Sequence, residues 1–168
     1  MTKDMKKKWL AVRTQALAVI YLTRRRDLVI TDLNMKADTG IDLFVCVERD
    51  DPLARPLFGV LVRGGVKSAT PVEVDKLLDA TFAKFVRRGH FAYPVCLFYF
   101  TMREDQAFFT WLAEPVTDPA GEPKLLHHKK AKCRVLTDHL LNDAVERIVR
   151  WYDALQAALV AQDGAAEA

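Results

Sequence analysis

Cysteine is scarce in this chain: Cys46, Cys96 and Cys133 are the three among 168 residues. They are odd in number, far apart and without a Cys-x-x-Cys pair, which argues against a disulfide framework and a thiolate zinc site. Cys46 and Cys96 fall inside apolar, strand-like segments, where a free cysteine behaves as a small core residue. A reducing, cytoplasmic setting is the expectation. Long hydrophobic runs are missing as well. The charged N-terminus has no apolar h-region or small-residue cleavage site, and the apolar run near residue 20 is cut off by Arg24-Arg25-Arg26. Neither a secretory leader nor a membrane partner is expected. Internal repeats and heptad arrays are absent too, which removes solenoids and coiled coils.

What is present suits an ordinary folded domain. With 51% apolar and 28% charged residues in 168 positions, the chain can bury a real core without staples. One domain over residues 1–160 is expected, with an Ala-rich tail over 161–168. The net charge of +3 is unevenly spread, with cations gathered at Lys3 to Lys8, Arg24 to Arg26, Lys84 to Arg88 and Lys129 to Arg134. Such clusters suit a polyanion, although they serve solubility equally well.

Hydrophobic periodicity organises the chain. Trp9, Val12, Ala16, Val19 and Ile20 recur at helical spacing, which predicts a helix over 3–22. Leu28-Val29-Ile30 follows as a short strand. Ile41, Leu43, Val45 and Val47 alternate with Asp42, Phe44, Cys46 and Glu48, a period of two that predicts a strand with one strongly apolar face. Asp42 and Glu48 then share a side, but about 20 Å of extended chain keeps them from one ion. A hairpin through Arg49-Asp50-Asp51-Pro52 leads into Leu57 to Arg63, where Gly59, Leu61 and Arg63 share a parity.

Thr70-Pro71-Val72-Glu73 combines an N-cap threonine, a proline at the first helical position and a capping-box glutamate. Val74, Leu77, Leu78, Phe82, Phe85 and Val86 continue that helix to about Arg88. The apolar run Tyr93 to Phe100 predicts a central strand covered on both faces, with Pro94 tolerable only near its start. Ala107 to Ala113 pairs with it across Arg103-Glu104-Asp105-Gln106. After a proline-containing loop and the basic stretch 126–132, a last helix begins near Thr137 or Asp138. The sum is an α/β fold, one mixed sheet flanked by helices.

Across Asp38 to Arg63 the chain resembles the DUF4365 family, a bacterial domain family of unknown function within the PD-(D/E)xK nuclease-like superfamily. That family places a helix first, then a strand carrying Asp-Gly-Ile-Asp, then a strand ending in Gln-x-Lys; here those places hold Thr39-Gly40-Ile41-Asp42 and Leu61-Val62-Arg63. The resemblance covers residues 9 to about 113. It implies a restriction-endonuclease-like fold, a divalent ion (Mg2+ or Mn2+) held by Asp42 and the Val62 carbonyl, and a catalytic group of Asp42 and Arg63 completed by Asp38 and by Gln15 from the first helix. It also implies a nucleic-acid partner, DNA ahead of RNA.

The residues themselves qualify that picture. Magnesium requires several oxygen ligands in near-octahedral array, and Leu61 supplies none. Asp38 could turn back to Asp42 across Gly40, or merely open the strand as an Asx turn. Arg63 keeps a positive charge and can clamp phosphate, yet its guanidinium is a poor general base. Binding survives this exchange more readily than hydrolysis. His127 and His128 diverge if the segment is extended, so with Lys129, Lys130, Lys132 and Arg134 they read as a basic surface for phosphate contact rather than a metal site. Phe98, Tyr99, Phe100, Phe108, Phe109 and Trp111 lie on neighbouring strands and read as core before base-stacking platform. Two functions follow: a nuclease-like nucleic-acid-binding domain with metal-dependent phosphodiester hydrolysis, or a degenerate nuclease fold that binds nucleic acid, a protein partner or a second copy of itself.

Overall fold

A computed structural model describes residues 2–31, 40–51, 55–89 and 91–166, with side chains as far as residue 161. Its elements run α1 (Lys3–Leu22), β1 (Leu28–Thr31), β2 (Leu43–Val47), β3 (Leu57–Gly65), α2 (Pro71–Arg88), β4 (Val95–Thr101), β5 (Gln106–Thr117), β6 (Pro123–His127), β7 (Arg134–Val135) and α3 (Asp138–Ala166). The strands form one sheet in the order β1-β2-β3-β4-β5-β6, with β7 also pairing to β5. Only β3 and β4 are parallel; β1 to β3 and β4 to β7 pair antiparallel. The α/β class, with helices on a mixed sheet, is as the sequence predicts. Among the described residues no helix is long and apolar enough to cross a membrane.

The parallel step requires a crossover, and α2 makes it. Its start follows the sequence signal closely: the Thr70 backbone N–H donates to Glu73 Oε2 at 2.7 Å, and the Glu73 N–H returns a bond to Thr70 Oγ1 at 3.4 Å. Val74, Leu78, Phe82 and Phe85 are buried, whereas Leu77 and Val86, expected on the same stripe, are exposed. Every residue of β4 is buried. Two core clusters lie on opposite faces of the sheet, one beneath α1 and α3, the other beneath α2.

Three local expectations need correction. The first helix has the expected bounds but not the expected face: Thr14, Ala18 and Leu22 are buried, while Trp9, Val12 and Ile20 are exposed. Clearance explains it. A Cβ at Gly64 of β3 would lie 2.4 Å from Thr14 Cγ2, so α1 crosses too near the sheet for a tryptophan-led stripe, and small side chains make the contact. Second, the apolar alternation does not run through Asp42. Leu43, Val45 and Val47 join the α1 side whereas Ile41 joins the α2 side, because Asp42 precedes β2 and breaks its pleat. Glu48, at the other end of β2, is exposed and pairs with Arg55 at 3.8 Å, so strand parity does not link it to Asp42.

Third, β5 extends to Thr117 and the segments expected as loop contain β6 and β7. Pro115 misleads a sequence reading here. Pairing of β5 with β4 ends at Ala113, so on that side Pro115 faces no partner strand and its missing N–H costs no ladder bond. The last helix starts as expected, with Thr137 Oγ1 accepting from the Leu140 N–H at 3.1 Å, and it is helical as far as Ala166.

Candidate functional site

The side chains at issue meet where β2 begins. Pairing of β2 with β3 runs from Cys46↔Leu57 to Leu43↔Val60, and beyond it the Asp42 carboxylate takes over from the ladder. Asp42 donates its backbone N–H to the Val60 carbonyl at 3.1 Å, and its Oδ2 accepts from the Val62 N–H at 2.8 Å. The same oxygen accepts from Arg63 Nη1 at 2.7 Å. Arg63 Nη1 also donates to the Val62 carbonyl at 2.7 Å.

Burial gives this arrangement weight. The Asp42 side chain is 5% exposed and that of Arg63 34%. A carboxylate so enclosed requires partners, because burying an ion alone costs several kcal/mol. Arg63 supplies one from the half-wet side and the Val62 amide another from the sheet. Leu61, which opens the Leu61-Val62-Arg63 motif on β3, is fully buried in one cluster with Val74, Leu78 and Phe82 of α2. It is a core residue.

The donor set can be tested against a divalent cation. An ion bridging Asp42 and the Val62 carbonyl would need to sit where Arg63 Nη1 sits, since that nitrogen already lies 2.7 Å from both oxygens. Leu61 offers no third oxygen, and among the described residues no group of three His, Cys, Asp or Glu side chains converges. As arranged, these residues do not fit Mg2+ or Mn2+, which requires near-octahedral oxygen at about 2.0–2.1 Å. The Arg63 guanidinium occupies the space between the two oxygens.

Asp38 lies outside the described residues. Gln15 is exposed on α1, and α1 packs on the Val60 and Val62 face of the sheet whereas Leu61 belongs to the α2 face. Gln15 is therefore not brought to the Asp42–Arg63 pair, because the true inner face of α1 is centred on Thr14 and Ala18.

The basic clusters divide. Arg24 and Arg25 are committed to Asp138 and Asp27 at 2.8 and 2.6 Å. Lys129, Lys130 and Lys132 are exposed and form no ion pair among the described residues. They follow β6 on the outer edge of the sheet; Lys129 shares a small cavity with Phe85, Val86 and Gly89 at the end of α2, whereas Lys132 precedes Cys133, whose N–H donates to Asp75 near the start of α2 at 2.7 Å. Arg88, the last residue of α2, leans over Gly40, where a Cβ would meet its Nη1 at 2.6 Å. Arg88 and Lys129 thus both stand at the end of α2.

The two histidines diverge as expected. His127 Nε2 bonds the Phe91 carbonyl at 3.0 Å, and His128 Nε2 bonds Glu114 Oε2 at 2.8 Å. Glu114 in turn pairs with Arg147 of α3, a connection between sheet edge and helix that no sequence spacing announces. The aromatic strands are core: Phe98, Phe100, Phe108 and Phe109 are at most 1% exposed. Burial pushes the Cys96 and Cys133 thiols up, with a bond to Asp75 adding to the shift at Cys133. No family model, no curated protein and no solved structure matches this chain.

Proposed function

We propose that the chain is a restriction-endonuclease-like domain of PD-(D/E)xK type that binds nucleic acid and has lost hydrolysis. One observation carries the reading: Arg63 Nη1 lies 2.7 Å from both Asp42 Oδ2 and the Val62 oxygen, so a side chain of the protein fills the position a catalytic cation would need. The order of helix, acid-bearing strand, cation-bearing strand, crossover helix and central strand supports the fold assignment. The exposed lysines Lys129, Lys130 and Lys132 support a phosphate-contacting role, with DNA as the first ligand to test and RNA as its competitor.

The test is titration of labelled duplex DNA and RNA of equal length, with and without Mg2+ or Mn2+. Binding should weaken steeply with salt, and Lys129→Ala/Lys130→Ala/Lys132→Ala should lower the salt slope by about one for each phosphate that is no longer neutralised. Neither strand should be cut. Metal-dependent cleavage that disappears in a folded Asp42→Ala variant would overturn the loss of hydrolysis. Absent or salt-insensitive binding, together with a dimer in light scattering at two salt concentrations, would favour the protein-partner or homo-oligomer alternative instead.

A further inference from the structure

A second place on the molecule has the makings of a ligand site, and it does not depend on how the Asp42–Arg63 pair is read. Where the parallel strands β3 and β4 end, the chain turns through residues 66–70 into α2. At that junction lies an open cleft of about 530 Å³, within the ordinary range of volume for small-molecule sites. Crevices at the carboxyl ends of parallel strands are where open α/β sheets bind ligands.

Its floor is Tyr99. The residue is 6% exposed, yet its hydroxyl makes no hydrogen bond among the described residues, and burial alone raises its pKa. A buried phenol ordinarily finds a partner. This one opens into the cleft beside Gly65, where even a methyl group would come within 2.4 Å of the oxygen; the missing side chain keeps the hydroxyl accessible. The walls are apolar, from Val66 and Leu77, which are 56% and 59% exposed. The rim carries Lys67, Ser68 and Lys76. Glu73 is also there, its carboxylate held ionised by the Thr70 backbone N–H and hydroxyl, so two lysines against one carboxylate leave the lining a small positive excess.

We infer that this cleft binds a nucleoside monophosphate, free or as the 5′-phosphorylated end of a strand. The planar base fits between Val66 and Leu77, the Tyr99 hydroxyl hydrogen-bonds a polar atom of the ligand, and Lys67 and Lys76 hold the phosphate. Two apolar walls around a neutral donor exclude a bare anion as the best ligand; two lysines exclude an uncharged one.

Titration of the full chain by calorimetry with adenosine 5′-monophosphate, inorganic phosphate and adenosine tests this. The monophosphate should bind saturably and better than either fragment, and Tyr99→Phe should weaken it about ten-fold, the loss of one hydrogen bond to a polar ligand. Lys67→Ala/Lys76→Ala should weaken it and remove its salt dependence, while both variants keep the parent's melting temperature within a few degrees. Comparison of 5′-phosphorylated with 5′-hydroxyl oligonucleotides separates the strand-end source from the free nucleotide. No saturable binding of the monophosphate or the phosphorylated end, equal affinity for inorganic phosphate, or affinity unchanged by both variants would overturn the inference. Because Arg63 and Lys129 do not line the cleft, an Arg63→Ala or Lys129→Ala variant that loses duplex binding but retains the monophosphate would show the two sites failing separately.

Discussion

Removing Arg63 tests whether the guanidinium stands in for a cation. Arg63→Met keeps a long apolar stem on β3 but deletes both bonds from Nη1, to Asp42 Oδ2 and to the Val62 oxygen. Breaking a fully buried ion pair from one side costs about 3–5 kcal/mol. Here the Arg63 side chain is 34% exposed, so water compensates part of the loss, and a cost of about 2 kcal/mol is expected. For a chain of this length that corresponds to a fall of about 4–8 °C in the melting temperature. The partner substitution should reverse it. In Arg63→Met/Asp42→Asn the asparagine oxygen can still accept from the Val62 amide but carries no charge, so the double variant should melt above the single one, with a coupling of about 1 kcal/mol. Differential scanning calorimetry on the four proteins reads this directly. The same scan with added Mn2+ should leave the parent unmoved. A single variant that melts like the parent, a double variant no better than the single, or a parent stabilised by Mn2+ would each refute the reasoning.

Further outcomes follow from other contacts. Gly64→Ala should destabilise the protein by about 1–3 kcal/mol in chemical unfolding, because the added methyl meets Thr14 Cγ2 at 2.4 Å and the Phe100 backbone oxygen at 2.8 Å. Burial holds the Cys96 and Cys133 thiols protonated at neutral pH, so a thiol reagent should modify them only after denaturant is added; modification of either in the folded state would contradict the packing. Asp27 and Asp153 have lowered pKa values, chiefly through their hydrogen bonds to Arg25 and Arg49. The unfolded chain therefore takes up more protons in acid than the folded one, so this stability is complete above about pH 5 and is lost as pH falls through the ordinary carboxylate range near 4 and below. Arg49→Met should flatten the acid limb of the melting curve, and a limb of unchanged steepness would count against it.

The features legible in the sequence are those settled by neighbours along the chain. Thr70-Pro71-Val72-Glu73 marked the start of α2 because a capping box satisfies backbone donors within four residues. Thr137 marked the start of α3 in the same way. The uninterrupted apolar run from Val95 placed β4 in the middle of the sheet, since a strand with no polar parity needs cover on both faces. Asp42 and Arg63 stood out only through the family resemblance, as a metal ligand and a catalytic or phosphate-contacting cation.

Long-range packing settled what those residues do to one another. Whether Arg63 reaches outward to phosphate or inward to Asp42 depends on where β2 stops pairing with β3, a register that no local signal encodes. Which face of α1 is buried depends on Gly64, fifty residues after Thr14, and that contact took Gln15 away from the site. Pro115 looked like a strand end until the partner on one side of β5 was seen to finish first. The open Tyr99 hydroxyl was hidden among aromatic core residues because its distinction is the space beside Gly65, not its place in the chain. The order of residues alone dictates an α/β domain with capped helices and a covered central strand, because periodicity and capping act over a few residues. That the Arg63 guanidinium reaches the Asp42 carboxylate follows from the fold, because a 2.7 Å contact across two strands is a fact of three-dimensional register.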